Sequence, residues 1–226
     1  MIPGGSCRVE FAGETLDLLP QRAAWWGAER TLLLADLHLG KPASFRAQGA
    51  PVPESVTASD LERLGGLVRA LQPAHVVVLG DLAHDRAAWR KATLASFGAW
   101  RAAHGGLELV LVRGNHDRWA SDPPAGLGIT AVEPGWTLGG ITLCHDPAEA
   151  GEGPSLCGHL HPGIALTGRR RTGGLRAPCF WFSPRLGVLP AFGSFTGLAM
   201  ISPRAGDRVF AVGERSVLEV GEAARA

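Results

Sequence analysis

The chain of 226 residues lacks several features that would mark particular classes of protein. Its four cysteines are scattered, with no C-x-x-C pair and no closed Cys/His spacing, which disfavours a structural zinc module and is typical of reduced thiols in a cytoplasmic protein. No apolar stretch approaches the roughly 20 residues that a membrane helix needs. The first residues carry no basic segment followed by an apolar one. We therefore expect a cytoplasmic protein with no signal peptide and no membrane association.

The sequence also lacks an excess of charge of either sign, since the formal net charge is +1. This balance does not indicate a nucleic-acid partner, but a local basic patch is enough to bind one. There is no internal repeat, no low-complexity segment and no linker-like boundary, and the 31 glycines and 16 prolines are spread along the chain as turn residues. We expect a single domain over residues 1–226, with one sizeable core.

The first half of the sequence contains three short apolar runs, each about the length of a buried strand and each ending in polar residues. These runs are residues 31–38, 75–81 and 107–116. Between them, residues 53–73 and 85–106 carry apolar side chains at helical spacing. The order β-α-β-α-β predicts right-handed crossovers and parallel neighbouring strands.

The second half of the sequence has a different texture, with short β-like runs separated by Gly and Pro and no convincing long helix. The runs are residues 129–133, 136–144, 155–158, 163–167, 178–183, 187–191, 198–201 and 208–212. We expect them to form a second, mostly antiparallel sheet that faces the first.

Polar blocks follow five of these runs, where ligands bind in open α/β sheets. They are D-x-H at 36–38, G-D at 80–81, G-N-H-D at 114–117, a histidine at 145 and G-H-x-H at 158–161. Each block alone is as easily a turn, a cap or surface decoration. The ordered set is more specific, because buried carboxylates and imidazoles are compensated when they surround metal ions.

The seven candidate ligands in these blocks offer oxygen and nitrogen atoms and no thiolate, a set that suits Mn, Fe or Zn. They are too many for one tetrahedral ion. They suit two divalent ions, about 3.5–4 Å apart, that share a bridging carboxylate.

The five blocks, in this order over residues 36–161, resemble the calcineurin-like metallophosphoesterase superfamily. The resemblance implies an α/β fold, a four-layer αββα sandwich of two facing mixed sheets, with a dinuclear metal site at the carboxyl ends of the strands. It implies the following ligands: Asp36, His38 and His161 for the first ion, Asp81 between the two ions, and Asn115, His145 and His159 for the second.

The same resemblance implies roles for residues beside the ligands. His116 faces the scissile phosphate as general acid or electrostatic stabiliser, and Asp117 orients His116. A hydroxide that bridges the two ions is the implied nucleophile. His84 and Asp85 either support the ligands or are solvated surface.

Two segments, residues 36–53 and 176–198, resemble a narrower branch, the ligase-associated DNA damage response endonucleases of bacteria. That branch implies cleavage of DNA phosphodiesters, with single strands as the substrate, manganese as the typical metal, and a functional association with a DNA ligase, a helicase and an exonuclease. The alternative is a phosphoesterase that acts on nucleotides or other small phosphate esters. A non-catalytic scaffold is disfavoured because every ligand and His116 are present. A homodimer is compatible with the extended second sheet.

Basic and aromatic residues near the blocks are candidates for binding DNA. The candidate phosphate-binding residues that flank the metal blocks are Lys41, Arg46, Arg113 and Arg118. A basic stretch follows the last block and consists of Arg169, Arg170, Arg171 and Arg176. The alternative for these charges is a solvated surface. Trp119 and the aromatic run 180–182 can stack on unpaired bases, except where a ring of the run faces the core.

Overall fold

Two β-sheets stack face to face in this computed structural model, which describes residues 1–53, 55–166 and 175–221. Arg169, Arg170 and Arg171 of the basic stretch lie outside the described residues.

The first sheet has seven strands in chain order. They are β1 (Cys7–Phe11), β2 (Glu14–Leu19), β3 (Ala23–Trp26), β4 (Thr31–Leu34), β5 (His75–Leu79), β6 (Glu108–Val112) and β7 (Ile129–Val132). Strands β1 to β4 pair antiparallel, and β4 to β7 pair parallel. The three parallel strands predicted from the apolar runs, now β4, β5 and β6, are confirmed.

Helices connect the parallel strands and cover one face of the first sheet. They are α1 (Lys41–Ala47), α2 (Ser55–Leu71), α3 (Lys91–Ala103) and α4 (Asn115–Ala120). The helix predicted over 53–73 is confirmed as α2. The helix predicted over 85–106 is divided, because a 3-10 helix, Arg86–Trp89, precedes α3 and Arg90 between them is extended. No helix in the described residues is both long and apolar enough to cross a membrane.

Alternation along the parallel strands explains why both of their faces are apolar. In β4, Leu32 and Leu34 pack against α2 and α3, whereas Leu33 packs against the second sheet. Both sets of side chains are fully buried. A strand covered on both faces reads as a continuous apolar run, which is what the sequence shows here.

The second sheet has nine strands and is mixed. They are β8 (Trp136–Leu138), β9 (Ile141–Leu143), β10 (Ser155–Cys157), β11 (Pro162–Leu166), β12 (Leu175–Phe182), β13 (Leu186–Val188), β14 (Ala199–Met200), β15 (Arg208–Val212) and β16 (Val217–Glu219). Strand β10 runs parallel to β9 and β13, and β11 runs parallel to β14. The other pairs are antiparallel. The predicted second sheet, mostly antiparallel and facing the first, is therefore confirmed.

Several elements differ from the prediction. The run 129–133 belongs to the first sheet as β7, because α4 and a 3-10 helix, Ala125–Leu127, form a crossover that returns the chain parallel to β6. The run 136–144 is a hairpin of β8 and β9, turned by Gly139 and Gly140 at positive φ. Strands β1 to β3 and β16 have no counterpart in the prediction.

The four-layer arrangement that the resemblance implies includes a helical layer on the outside of the second sheet. The described residues do not form this layer. In the described residues every α-helix ends by Ala120. The outer face of the second sheet carries instead a small apolar cluster that includes Cys179, Val209 and Val220. Both central sheets and the inner helical layer are as expected, and the second helical layer is not among the described residues.

Candidate metal centre

The polar blocks of the two sheets meet at one edge of the sandwich. Asp36, Asp81 and Asn115 follow the carboxyl ends of the parallel strands β4, β5 and β6. His145 and His159 follow β9 and β10, which are themselves parallel neighbours. Because the carboxyl ends of parallel strands lie at the same edge of a sheet, five blocks far apart in the sequence come together there.

The first cluster at this edge consists of Asp36, His38 and His161. The Nε2 atoms of the two histidines are 3.2 Å apart. His161 Nε2 is 3.6 Å from Asp36 Oδ1. Asp36 is fully buried and His38 nearly so, whereas His161 is partly exposed. Three potential ligand atoms therefore converge on one position, which solvent can reach from the side of His161.

The second cluster consists of Asp81, His145 and His159, with Asn115 beside them. His145 Nε2 lies 2.9 Å from Asn115 Oδ1 and 3.1 Å from His159 Nδ1. His145 Nδ1 donates to the carbonyl of Leu79 at 3.0 Å. Because a carbonyl only accepts, this bond fixes the ring so that Nε2 faces the cluster.

Asp81 lies between the two clusters. Its Oδ2 is 3.8 Å from His38 Nε2 in the first cluster, and its Oδ1 is 3.4 Å from His145 Nε2 in the second. Each carboxylate oxygen thus faces a different cluster, which is the arrangement that a bridging ligand requires.

The backbone at these residues is unusual. Asp36, His38, Asp81, His159 and His161 all have φ between 46° and 68°, the left-handed region that non-glycine residues rarely adopt. Such conformations persist where the surrounding structure holds them, and they cluster at functional sites. The motif spacing alone does not predict this strain.

Close approach of the backbones leaves room only for glycine at two points beneath the clusters. A Cβ at Gly80 would lie 2.1 Å from His145 Nδ1, and a Cβ at Gly114 would lie 2.3 Å from Asp81 Oδ1. The glycines of the G-D and G-N-H-D blocks therefore let the two sheets bring their ligands together.

The surroundings of His38 and His145 shift the pKa values of the two imidazoles in opposite directions. Burial lowers the pKa of His38 to about 2, against the opposing charge of Asp81, which keeps the imidazole neutral as a metal ligand must be. Burial also acts against the charged form of His145, but its hydrogen bond to Asp81 and the charges of Asp81 and Asp36 raise its pKa to about 9. Two buried carboxylates that favour positive charge on a neighbouring imidazole, together with imidazole nitrogens and an amide oxygen, form a donor set that fits divalent metal ions.

His116 and Asp117 lie beside the clusters, and their side chains make different contacts. His116 Nδ1 is 2.7 Å from the carbonyl of His84, which fixes the ring. Asp117 accepts bonds from the backbone N–H groups of Asp81, Ala83 and Gly114 at 2.8–2.9 Å. Both residues are in α4, where successive side chains point about 100° apart, and the Asp117 carboxylate points to the core. That Asp117 orients His116 stays a prediction.

The structure also shows contacts near His116 that the motif analysis missed or left open. The His84 ring stacks on His116, with centroids 4.6 Å apart, and its Nδ1 is 3.4 Å from His38 Nδ1. Phe45 and Phe195 pack edge to face at 5.3 Å, and Phe45 also contacts His84. Phe45 and Phe195 come from the two segments that resemble the narrower branch, so these segments meet beside the site.

Asp85 is placed differently from its neighbour His84. Its carboxylate caps the 3-10 helix by accepting from Ala87 N–H at 2.6 Å, and it accepts from Ser44 Oγ at 2.6 Å. Asp85 thus anchors α1 to the loop after β5, and it is neither a ligand nor free surface.

The four predicted phosphate-binding residues differ in their surroundings. Lys41 is half-buried; burial lowers its pKa, and the charges of Asp36 and Asp81 oppose that shift, so its ammonium group lies near the clusters. The other three are engaged elsewhere: Arg46 with the carbonyls of Val52 and Pro53, Arg113 with Asp122 and Glu133, and Arg118 near Glu133 and Glu149. For all four, phosphate binding stays a prediction.

The aromatic candidates divide in the same way. Phe180 and Phe182 are buried between the sheets. Trp181 points to the other face of β12 and donates to Asp207 at 2.9 Å. Trp119, at the end of α4, is 77% exposed. Of the candidate rings, Trp119 has the exposure that stacking on a base requires.

Comparison with known proteins gives two kinds of match. The sequence profile of the Calcineurin-like phosphoesterase family matches residues 29–166. The crystal structure of Pseudomonas putida nuclease MPE has a TM-score of 0.84 and 39% identity, and the alignment covers 95% of this chain and 100% of that one. Yfce, a phosphoesterase from E. coli, has a TM-score of 0.41 and 15% identity over 87% of this chain and 99% of its own, too distant to support an argument. A search of curated proteins gives no significant match.

The two-sheet α/β sandwich, with its His and Asp clusters at the strand ends, defines a metal-dependent phosphoesterase. The chain belongs to the Calcineurin-like phosphoesterase family, whose profile spans more than half of its length. This confirms the resemblance of the five blocks to the calcineurin-like superfamily. The full-length likeness to a nuclease is consistent with the narrower branch of DNA damage response endonucleases.

Proposed function

We propose that this phosphoesterase is a DNA endonuclease that acts on single strands in bacterial DNA repair, with manganese as its metal. The observation that carries the proposal is the 39% identity, over 95% of the chain, with a protein described as a nuclease. The resemblance of residues 36–53 and 176–198 to the ligase-associated branch gives the role in repair. The same resemblance is the basis for a functional association with a ligase, a helicase and an exonuclease.

The residues of the two clusters would hold two divalent ions. Asp36, His38 and His161 would bind the first ion. Asn115, His145 and His159 would bind the second, with Asp81 between them. When bound, the ions would neutralise the phosphodiester and activate a water molecule for attack. Oxygen and nitrogen donors without thiolate suit manganese, and equally iron or zinc.

The contribution of the chain beyond the ligands centres on His116. Its Nδ1 donates to the carbonyl of His84, which leaves Nε2 as the atom that exchanges a proton. A protonated Nε2 can donate to the leaving oxygen of the diester as general acid. Stacking of His84 on the ring and the Asp81 oxygen that accepts from the His116 backbone N–H at 2.9 Å hold His116 beside the bridging carboxylate.

The experiment that tests the proposal uses circular single-stranded DNA, because circles have no ends. The purified protein would be incubated with the circles and with each of several divalent metals, and the products separated by size. We expect linear and then shorter fragments, most efficiently with Mn²⁺. In parallel, cyclic nucleotides and p-nitrophenyl phosphate esters would be offered. Hydrolysis of the small esters with intact circles would reject the endonuclease and favour the alternative, a phosphoesterase of small substrates.

A further inference from the structure

A groove lined by three arginine side chains of the described residues lies beside the metal centre. It has a volume of about 900 Å³, and its lining includes Gln21, Arg22, Arg63 and Arg176 together with aliphatic side chains of β11, β12 and β16. One carboxylate, that of Glu214, lines it among the described residues. The groove is therefore positively charged on balance and apolar in its walls.

Arg22 and Arg63 both line the groove, and the charge of one carboxylate, Asp60, acts on both guanidinium groups. Burial, reinforced by the charge of Arg63, lowers the pKa of Arg22, and Asp60 opposes the shift. Asp60 is itself committed, since it pairs with Arg63 at 2.9 Å and accepts from Ser194 N–H at 3.0 Å. Two half-buried guanidinium groups against one carboxylate leave a positive charge that an anion would compensate.

Two of the described residues that line the groove carry buried polar atoms without a partner. In the described part of the chain, the buried Nε of Arg63 has no hydrogen-bond partner, and neither has the buried Oε1 of Gln21. Among the same residues, the Arg22 side chain makes no hydrogen bond or ion pair, and the charges that act on it are those of Arg63 and Asp60. An unpaired donor and an unpaired acceptor along an apolar wall match a nucleotide, whose phosphate accepts and whose base edge donates.

The local backbone does not explain the arginine at position 22. Arg22 has φ of 64° in the turn between β2 and β3, where its N–H bonds to the carbonyl of Leu19. Glycine or asparagine adopts this conformation with less strain. The left-handed conformation of this turn does not favour arginine, so the reason for an arginine at this position lies in its side chain.

The position of the groove relative to the metal centre follows from the sheet. Strands β2 and β4 run in the same direction, with β3 between them, so the turn after β2 lies at the same edge as Asp36. Two strand spacings amount to about 10 Å. Arg63 also bonds to the carbonyl of Phe192, and the next residue, Gly193, donates to the carbonyl of Asp36.

We propose that Arg22 and Arg63 form a phosphate-binding subsite that holds a neighbouring backbone phosphate of the nucleic-acid strand whose scissile phosphate lies at the metal centre. This subsite rests on the proposed nuclease function and adds to it the path of the strand, from the metal centre across Gly193 into the groove. It predicts that long substrates bind more tightly than a small diester that reaches the metal centre alone.

The test compares Arg22→Ala, Arg22→Lys and the unchanged protein, each loaded with Mn²⁺. The matched control is Arg185→Ala, because Arg185 is an exposed arginine in the turn between β12 and β13, at the opposite end of β10 from the metal centre. The KM and kcat for a single-stranded oligonucleotide are measured over a range of salt, and the same constants are measured for bis(p-nitrophenyl) phosphate.

We expect Arg22→Ala to raise the KM for the oligonucleotide several-fold and to flatten its salt dependence by about 0.7 in the log–log slope, the contribution of one phosphate on a single strand. Its constants for the small diester should not change. Arg22→Lys should restore the salt slope, and Arg185→Ala should behave as the unchanged protein.

Three results would overturn the subsite. One is an unchanged salt slope in Arg22→Ala, and another is an equal loss with both substrates, which would place the effect at the metal centre or the fold. The third is an altered oligomeric state with an unchanged slope, which would assign the groove to contact between copies of the chain. The nuclease function fails separately, if the unchanged protein hydrolyses the small diester but not the oligonucleotide.

Discussion

The two sheets contribute to the metal centre in different ways. Both carboxylates come from the first sheet, where Asp36 is 0% and Asp81 2% exposed at the ends of parallel strands. The second sheet contributes imidazoles, and the side chains of two of them, His159 and His161, are 35% and 17% exposed. The two carboxylates are thus buried, whereas two of the imidazoles are partly open to solvent.

The first sheet also orients the groups from the second. The carbonyl of Leu79 holds the His145 ring, and the Asp36 carboxylate accepts from the backbone N–H of His159 at 3.0 and 3.2 Å. Gly80 lies directly against the His145 ring. The strand ends of the first sheet therefore act as a template: they fix the positions of the histidines that the loops of the second sheet contribute.

The largest effect is expected at Asp81, the template residue between the clusters. Asp81→Ala removes an oxygen from each cluster, so both ions and the activity should be lost together. The loss of affinity should exceed the roughly 10–100-fold cost of removing a group that only supports a ligand. Metal content by mass spectrometry and turnover measure this. Asp122→Ala, an exposed aspartate that pairs with Arg113, is the matched control. A fully active Asp81→Ala would end the two-metal proposal.

The next effect in size is expected at His116, which belongs to the first-sheet side but is not a ligand in the proposal. His116→Ala should keep most of the metal and slow diester cleavage on the order of 100-fold or more, because it removes a proton donor and leaves both clusters intact. The same two measurements apply. If the metal content falls as far as it does in Asp81→Ala, His116 is a ligand and its assigned role is wrong.

A smaller and more selective effect is expected where the template touches the second sheet. Gly80→Ala would drive a methyl group into the His145 ring, so the ion that we propose is held by Asn115, His145 and His159 should bind about 10–100-fold more weakly. The first ion should remain. Gly13→Ala is the control, because Gly13 has a similar φ of 85°, against 76° at Gly80, but has open space around it. Loss of both ions, or equal behaviour of the two variants, would contradict the template.

The sequence predicts the parallel strands of the first sheet and their polar ends better than it predicts how the remaining strands pair. The parallel strands and α2 follow from local periodicity, and the five blocks mark the strand ends at which ligands lie. The sequence pattern places β7 in the second sheet, and the structure places it in the first, because a strand's own residues do not determine its partner. Strands β1 to β3 have no counterpart in the prediction. A sheet of this kind is decided by contacts between distant segments, which no short pattern contains.

The site shows the same limit at the level of single residues. The spacing of the blocks brings the candidate ligands together, but it does not predict their left-handed backbone or the approach of Gly114 to Asp81. Asp117 is next to His116 in the sequence and points elsewhere, because a helix begins at Asn115. Arg113 flanks the G-N-H-D block in the sequence, but it pairs with Asp122 at 2.9 Å and with Glu133, in a later loop, at 2.8 Å.

The smallest effect is expected at Trp119, which is exposed on the first-sheet side of the centre. Trp119→Ala should change the free energy of unfolding by less than about 0.5 kcal/mol, as surface substitutions do. If the ring stacks on a base, the affinity for single-stranded DNA should fall by about 1 kcal/mol, or about fivefold. Trp181→Ala gives the opposite pattern, because Trp181 is partly buried on the second sheet and bonded to Asp207: the protein should lose stability and keep its affinity. Thermal unfolding and fluorescence anisotropy with a labelled oligonucleotide separate the two outcomes. An unchanged affinity in Trp119→Ala would show that the Trp119 ring does not stack on a base of the bound strand.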